Sequence, residues 1–195
     1  MKLRKREQTP AGETEQTDKK EKKSLIREIY EWIMVFVVAG ALALTVRTLI
    51  FEPVRVDGES MMNTLHNGEF MITTKYDYLL GDPERFDIVI CKYPNTDGRY
   101  RVKRVVGMPG ETIELRGNDL YIDGARVEQP FDARENLRDF GPLQVPEGSY
   151  FLMGDNRPNS RDSRDSLVGP IPRRMIRGHV RAVVFPLTRV RLMDY

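Results

Sequence analysis

Cysteine is almost missing from the 195-residue chain: Cys91 is the only one. One thiol cannot close an internal disulfide, fill a four-cysteine zinc site or form a CxxC redox pair, so those frameworks are excluded. A dominant charge is missing too. The chain carries 31 Lys and Arg against 29 Asp and Glu, a net charge of +2, which gives no global case for a nucleic-acid binder. No repeat organises the 12 Pro and 15 Gly, which excludes collagen-like and solenoid designs. What is present is a 40% hydrophobic content, enough for a packed core. The length suits one domain with an appendage, or two very small domains.

Long apolar runs are also scarce, and the single one is informative. Residues 1–31 are dense in charge, with Lys19, Lys20, Lys22, Lys23 and Arg27 among Asp18, Glu21, Glu28 and Glu31. Such a tail cannot build a core, and its composition predicts disorder up to about Ser24. From Trp32 to Val46 no residue is charged, and the apolar character resumes after Arg47 through Phe51. Residues 32–51 therefore have the length of a transmembrane helix, with Arg47 near one end, where its stem can carry the guanidinium to the interface. A buried core helix is the bland alternative. A cleaved secretory signal is the sharper one, because Ala41-Leu42-Ala43 is a small-x-small triplet, but the triplet sits inside the apolar run rather than after it. Five Lys and Arg lie shortly before the span and only Arg55 appears in the twenty residues after Phe51. The positive-inside rule then places the tail in the cytoplasm and residues 52–195 outside.

The remainder reads as mainly β. Phe70 to Thr74, Phe86 to Tyr93, Val102 to Gly107, Leu120 to Asp123 and Val180 to Phe185 are short runs rich in Val, Ile and aromatics between turn residues. Asp123-Gly124 predicts a hairpin turn, and no convincing helical period follows the span. The expected domain is antiparallel and partly barrel-like.

Three polar groups interrupt this pattern: DGESMMNTL from Asp57, RVKRVVGMPG from Arg101, and GDNRPNSRDSR from Gly154. Taken singly, Ser60 is an ordinary turn or cap serine, Lys103 a sheet-face lysine and the third segment a solvated loop. A hydroxyl nucleophile needs a base, however, and a lysine in a Val-rich strand can serve if burial disfavours its ammonium form. The aspartates near Asn156 do not make a Ca2+ loop, because Arg157, Arg161 and Arg164 intrude and the EF-hand spacing is absent.

An N-terminal anchor leading into FEPVRVDGESM, then FDIV, VKRVVGMPGE, and GDNR followed by SRDSR, resembles the type I signal peptidases, membrane-bound Ser-Lys proteases that remove signal peptides from exported proteins. The resemblance covers nearly the whole chain after the tail. It implies Ser60 as nucleophile and Lys103 as general base, Ser160 orienting the lysine by a hydrogen bond, and Asp162 pairing with Arg164 to brace that wall. It also implies no cofactor and no metal, with secretory preproteins, membrane lipid and the export machinery as partners. Signal peptides would lie as an extended strand, with small side chains of an Ala-x-Ala pattern against Pro53, Val54, Val56, Asp57, Gly58, Met61, Arg101 and Val102.

Two departures stand out. Asn63 occupies a position where the family often has Pro, which frees φ there. Gly58 lacks the hydroxyl that some members use as an oxyanion donor, leaving backbone N–H groups, chiefly that of Ser60. Residues 116–149 are short and suggest a reduced accessory β subdomain. Phe51, Pro53, Met61, Met62 and Leu65 form an apolar collar that either packs in the core or touches the membrane. Two other readings stay open: a Ser-His-Asp hydrolase using His66 or His179, and a tethered binding module without catalysis.

Overall fold

The computed structural model describes residues 11–49, 51–94, 98–136 and 138–193, in two compact units that divide after Val46. The helix α1 (Ala11–Leu49) makes up the described part of the first unit and ends three residues past Val46. It starts well before Ser24, where disorder was expected, because the Glu, Gln, Lys and Ala of this stretch are all good helix formers; residues 1–10 lie outside the described residues. Between Arg27 and Thr45 the helix is long and apolar enough by composition to cross a membrane, and its side chains there are exposed, Phe36 by 71%. The Thr45 hydroxyl donates to Ala41 O at 2.8 Å, which satisfies a polar group within its own helix, as a bilayer requires. The helix stops at Leu49 rather than continuing to Phe51, because Pro53 forces Glu52 out of the helical region; Ile50 lies outside the described residues.

The second unit is antiparallel throughout its strands. They are β1 (Phe51–Arg55), β2 (Phe70–Thr74), β3 (Ile88–Lys92), β4 (Tyr100–Gly107), β5 (Thr112–Arg116), β6 (Asp119–Ile122), β7 (Ala125–Val127), β8 (Phe140–Gln144), β9 (Ser149–Met153), β10 (Ile171–Pro172), β11 (Ile176–Phe185) and β12 (Arg191–Leu192). The main sheet runs β1-β2-β11-β3-β4-β9-β10, with β12 on β11, and a second sheet runs β7-β6-β5-β8. Bulges interrupt β11 against β2 and β3, and β4 against β9, and such bulges bend a sheet toward a half-barrel. Pro53 is tolerated because β1 is an edge strand. Asp123 and Gly124 both adopt positive φ, 51° and 81°, between β6 and β7, the hairpin geometry the sequence indicated.

Burial on both faces explains the unbroken apolar run of β3. Ile88 and Ile90 enter a core with Val56, Met61, Leu65 and Met71, while Val89 and Cys91 enter another with Val105 and Leu152. A third core lies under the small sheet, where Ile113, Leu115 and Leu120 meet Val106, Phe151 and Met153 of the main sheet. The accessory strands therefore span 112–144 rather than 116–149 and share a core with the main sheet.

The apolar collar divides. Met61 and Leu65 are core residues, 2% and 0% exposed, Met62 is half-buried and Pro53 exposed. The exposed apolar side chains gather elsewhere: Phe70 and Phe185 meet edge to face at 6.0 Å, and Leu187, Val190 and Leu192 follow in the chain, all exposed.

Gly107 makes the third core possible. A Cβ there would lie 2.7 Å from Ile113 and 2.9 Å from Phe151 Cβ. Gly107→Ala is expected to destabilise the domain by about 1–3 kcal/mol, an overpacking cost, read as a lowered midpoint in urea unfolding.

Candidate active site

Ser60 sits on the loop between β1 and β2. Met61 and Leu65, four apart on a helical turn closed by Leu65 N donating to Met61 O at 2.8 Å, plunge into the core beside it. Ser60 thus precedes an anchored side chain rather than floating on a turn. The loop closes at its base, where Val56 N donates to Glu69 O at 2.8 Å and Gly68 N to Val56 O at 2.9 Å.

Lys103 lies in the middle of β4, opposite Val89, and is 2% exposed. Its Nζ donates to Ser60 Oγ at 2.6 Å and to Val102 O at 3.0 Å. Burial pushes its pKa below the ordinary 10.5; Cys91, Asp162 and Asp155 pull the other way, and Arg101 adds to the lowering. Desolvation wins because no carboxylate among the described residues reaches the amine. Asp162 is held instead by Arg164, whose Nε and Nη2 donate to its two oxygens at 2.8 Å each. Burial of Asp162 favours its neutral form, but Arg164 and Gly154 N outweigh it and keep the carboxyl below its usual range.

Beside Lys103, Arg104 is fully buried and forms a two-pronged ion pair with Asp155, at 2.9 and 2.7 Å. Arg104 also donates to Phe86 O at 2.9 Å and lies 3.9 Å from the Phe131 ring, while the Thr64 hydroxyl donates to Asp155. Asn156 follows in the chain and grips the backbone at Ser60. Its Nδ2 donates to Glu59 O at 2.9 Å, and its N donates to Ser60 O at 3.0 Å. A trans peptide aims its N–H opposite its C=O, so binding Glu59 O fixes where the Ser60 N–H points. Gly154 leaves the needed room: a Cβ there would fall 2.3 Å from Ser60 O and 2.2 Å from Ser160 Oγ. Sequence reading passed over Arg104, Asp155 and Asn156. A signal was available, since an arginine next to a lysine in a Val-rich strand needs a buried acid, and GDN supplies one.

Ser160 is placed at this wall but does not orient the lysine as expected. Its buried Oγ makes no hydrogen bond to Lys103, and Val102 O takes the second position on Nζ. Asn63 ties the Ser60 loop to the segment before β8, donating to Asp132 Oδ2 at 2.7 Å and accepting from Arg134 Nε at 3.3 Å.

Ser60 and Lys103 open on a cavity of about 80 Å³ lined by Val54, Val56, Asp57, Gly58, Met61, Arg101 and Val102, together with Arg55, Ile90 and Tyr100. Of the proposed substrate-contacting residues, only Pro53 is not on its wall. Neither histidine lines this cavity. His66 Nδ1 lies 3.7 Å from Glu69, and His179 stands between Asp77 and Asp87, at 3.6 and 3.5 Å, on a separate cavity.

Residues 29–185 match the family described as signal peptidase, peptidase S26. The chain belongs to this family. Signal peptidase I S of Bacillus subtilis (strain 168) is 40% identical over 184 residues, 89% of this chain and 98% of the relative. Signal peptidase I of Bacillus licheniformis is 39% identical, over 93% of this chain and 100% of the relative. A crystal structure of a signal peptidase I from Enterococcus faecalis V583 aligns with a TM-score of 0.43 and 32% identity, covering 51% of this chain and 97% of that one. As an S26 family member the protein is a serine peptidase, a hydrolase.

The buried lysine has a thermodynamic signature independent of catalysis. The unfolded chain keeps this proton up to its ordinary 10.5, while the folded chain releases it at lower pH. Between those values the unfolded state binds more protons, so this group makes stability rise with pH. Lys103→Met is expected to remove that contribution. The difference in urea-unfolding free energy between wild type and variant, measured from pH 6 to 10, should shift steadily in favour of wild type as pH increases.

Proposed function

We propose that the protein is a membrane-anchored endopeptidase that removes N-terminal signal peptides from exported preproteins, with Ser60 as nucleophile and Lys103 as general base. The observation that carries this reading is the 2.6 Å contact between Lys103 Nζ and Ser60 Oγ, made by a buried amine with no carboxylate partner among the described residues. Neutral Lys103 takes the Ser60 proton as Oγ attacks the carbonyl carbon before the cut. The Ser60 N–H, aimed by Asn156, faces the developing oxyanion. Lys103, now an ammonium steadied by Val102 O, passes its proton to the departing amine of the mature protein. It then deprotonates the water that splits the acyl ester, releasing the signal peptide's carboxylate. Ser160 and the Asp162–Arg164 pair support this wall.

The cavity of about 80 Å³ at Ser60 suits a small side chain such as alanine, which supports cutting after an Ala-x-Ala pattern. The peptide would lie as a strand along β1, with Gly58, Asp57 and Val102 at its flank. Residues 1–31 form the cytoplasmic tail and 52–195 the extracytoplasmic catalytic domain, as the distribution of Lys and Arg about the span supports. The exposed apolar group of Phe70, Phe185, Leu187, Val190 and Leu192 is suited to contact with bilayer lipid.

Ser60→Ala and Lys103→Ala are each expected to lower kcat/KM on an Ala-x-Ala preprotein by at least about 10³-fold. The double variant should be no worse than either, because the pair acts as a unit; robust cleavage by either single variant would refute the assignment. The pH profile separates the possible bases. Activity needs neutral Lys103, so kcat/KM should rise with pH along a limb whose midpoint lies below 10.5, in the direction burial dictates. A chain carrying His66→Gln and His179→Gln should keep that limb; its disappearance would transfer the base role to an imidazole.

A further inference from the structure

A second cavity, of about 530 Å³, adjoins the one at Ser60 and shares Val54, Ile90 and Tyr100 with it. Resting on the peptidase reading above, we propose that this cavity is an upstream subsite that selects an acidic side chain five residues before the cut. Glu52 and Val54 line the larger cavity, and Val54 and Val56 the smaller. These alternate residues share one face of the chain. A substrate strand alongside β1 advances about 6.6 Å every two residues. With the residue before the cut in the small cavity, the next side chain on that face meets Val54. The one after it, the fifth before the cut, reaches Glu52 and enters the larger space. The upstream half of the peptide runs this way because alternate small side chains before the cut fit the Val54–Val56 wall.

Charge decides what that side chain should be. Four cations, Lys75, Arg173, Arg174 and Arg177, face the larger cavity against one carboxylate, Glu52. Lys75 is held by Glu52 at 2.8 Å, and Arg173 by Asp82 at 2.8 Å. Arg174 and Arg177 are exposed and have no carboxylate partner among the described residues. Tyr78, Tyr100, Val54 and Ile176 provide the apolar walls, against which the stem of a glutamate can rest while its carboxylate meets the two arginines. A lysine there would meet like charge.

The test uses full-length protein in neutral detergent and Ala-x-Ala peptides that differ only at the fifth residue before the cut: Glu, Gln or Lys. Both kcat/KM for wild type and Kd for the Ser60→Ala chain are measured. Glu is expected to exceed Lys by about tenfold at low salt in both readouts, two arginines acting in solvent-screened geometry. The ratio should fall toward one as ionic strength passes about 0.15 M. Arg174→Glu with Arg177→Glu should invert the preference to Lys, which loss of folding could not produce. A flat Kd series in wild type, or a Glu preference that survives charge reversal, overturns the subsite. So does charge reversal that spares the peptide preference but abolishes retention on phosphatidylglycerol vesicles, since the arginines would then be reading lipid. A graded Kd series without any cleavage by wild type would instead strike the serine–lysine reading while supporting the subsite.

Discussion

An amine held out of water beside a hydroxyl must not find a carboxylate, and two do lie close enough to Lys103 to raise its proton affinity, Asp162 and Asp155. The fold answers with two arginines: Arg164 takes Asp162 and Arg104 takes Asp155, each through two hydrogen bonds. The guanidinium is suited to this because it stays charged and matches a carboxylate in a planar fork. A buried pair of this kind gains little net stability over an apolar replacement, yet losing one partner strands the other charge at a cost of about 3–5 kcal/mol. Its worth here is electrostatic. It lets the segment after β9 carry acids close to Lys103 while the amine stays unpaired.

The same segment holds the Ser60 loop. Gly154, Asp155 and Asn156 leave β9 in a run, and each touches the Ser60 loop in its own way. Gly154 gives close approach, Asp155 accepts from Thr64, and Asn156 holds the carbonyls of Glu59 and Ser60. On the other side, Met61 and Leu65 are fixed in the core. Ser60 is therefore positioned by hydrogen bonds from one direction and by packing from the other, which limits how far its Oγ can wander from Lys103.

Two adjoining cavities lie along β1. At Ser60 the space is small, about 80 Å³, and its wall mixes valines with Arg55, Asp57 and Arg101. Farther along, toward Glu52, it widens to about 530 Å³ and is lined by Lys75, Arg173, Arg174 and Arg177. β1 can offer this wall because it is an edge strand interrupted by Pro53, with a side left over for an added strand.

Some of this was legible in the sequence because it depends on local pattern. The apolar run of α1, the strands at 70–74 and 102–107, the hairpin at Asp123-Gly124 and the three polar motifs are set by composition and by periods of a few residues. Boundaries were less accurate: charged helix formers extended α1 backward to Ala11, and Pro53 ended it before Phe51. β5, β8, β9, β10 and β12 were not read from the sequence: Gly141 and Pro142 disguise β8, and β10 and β12 have only two residues each. Whether Met61 and Leu65 faced lipid or core, and which arginine took which aspartate, could not be read from order along the chain. Those outcomes join residues that are dozens of positions apart, such as Arg104 and Asp155. Only the crossing of β4 with the loop after β9 brings them within reach, and so makes Lys103 a dry, unpaired neighbour of Ser60.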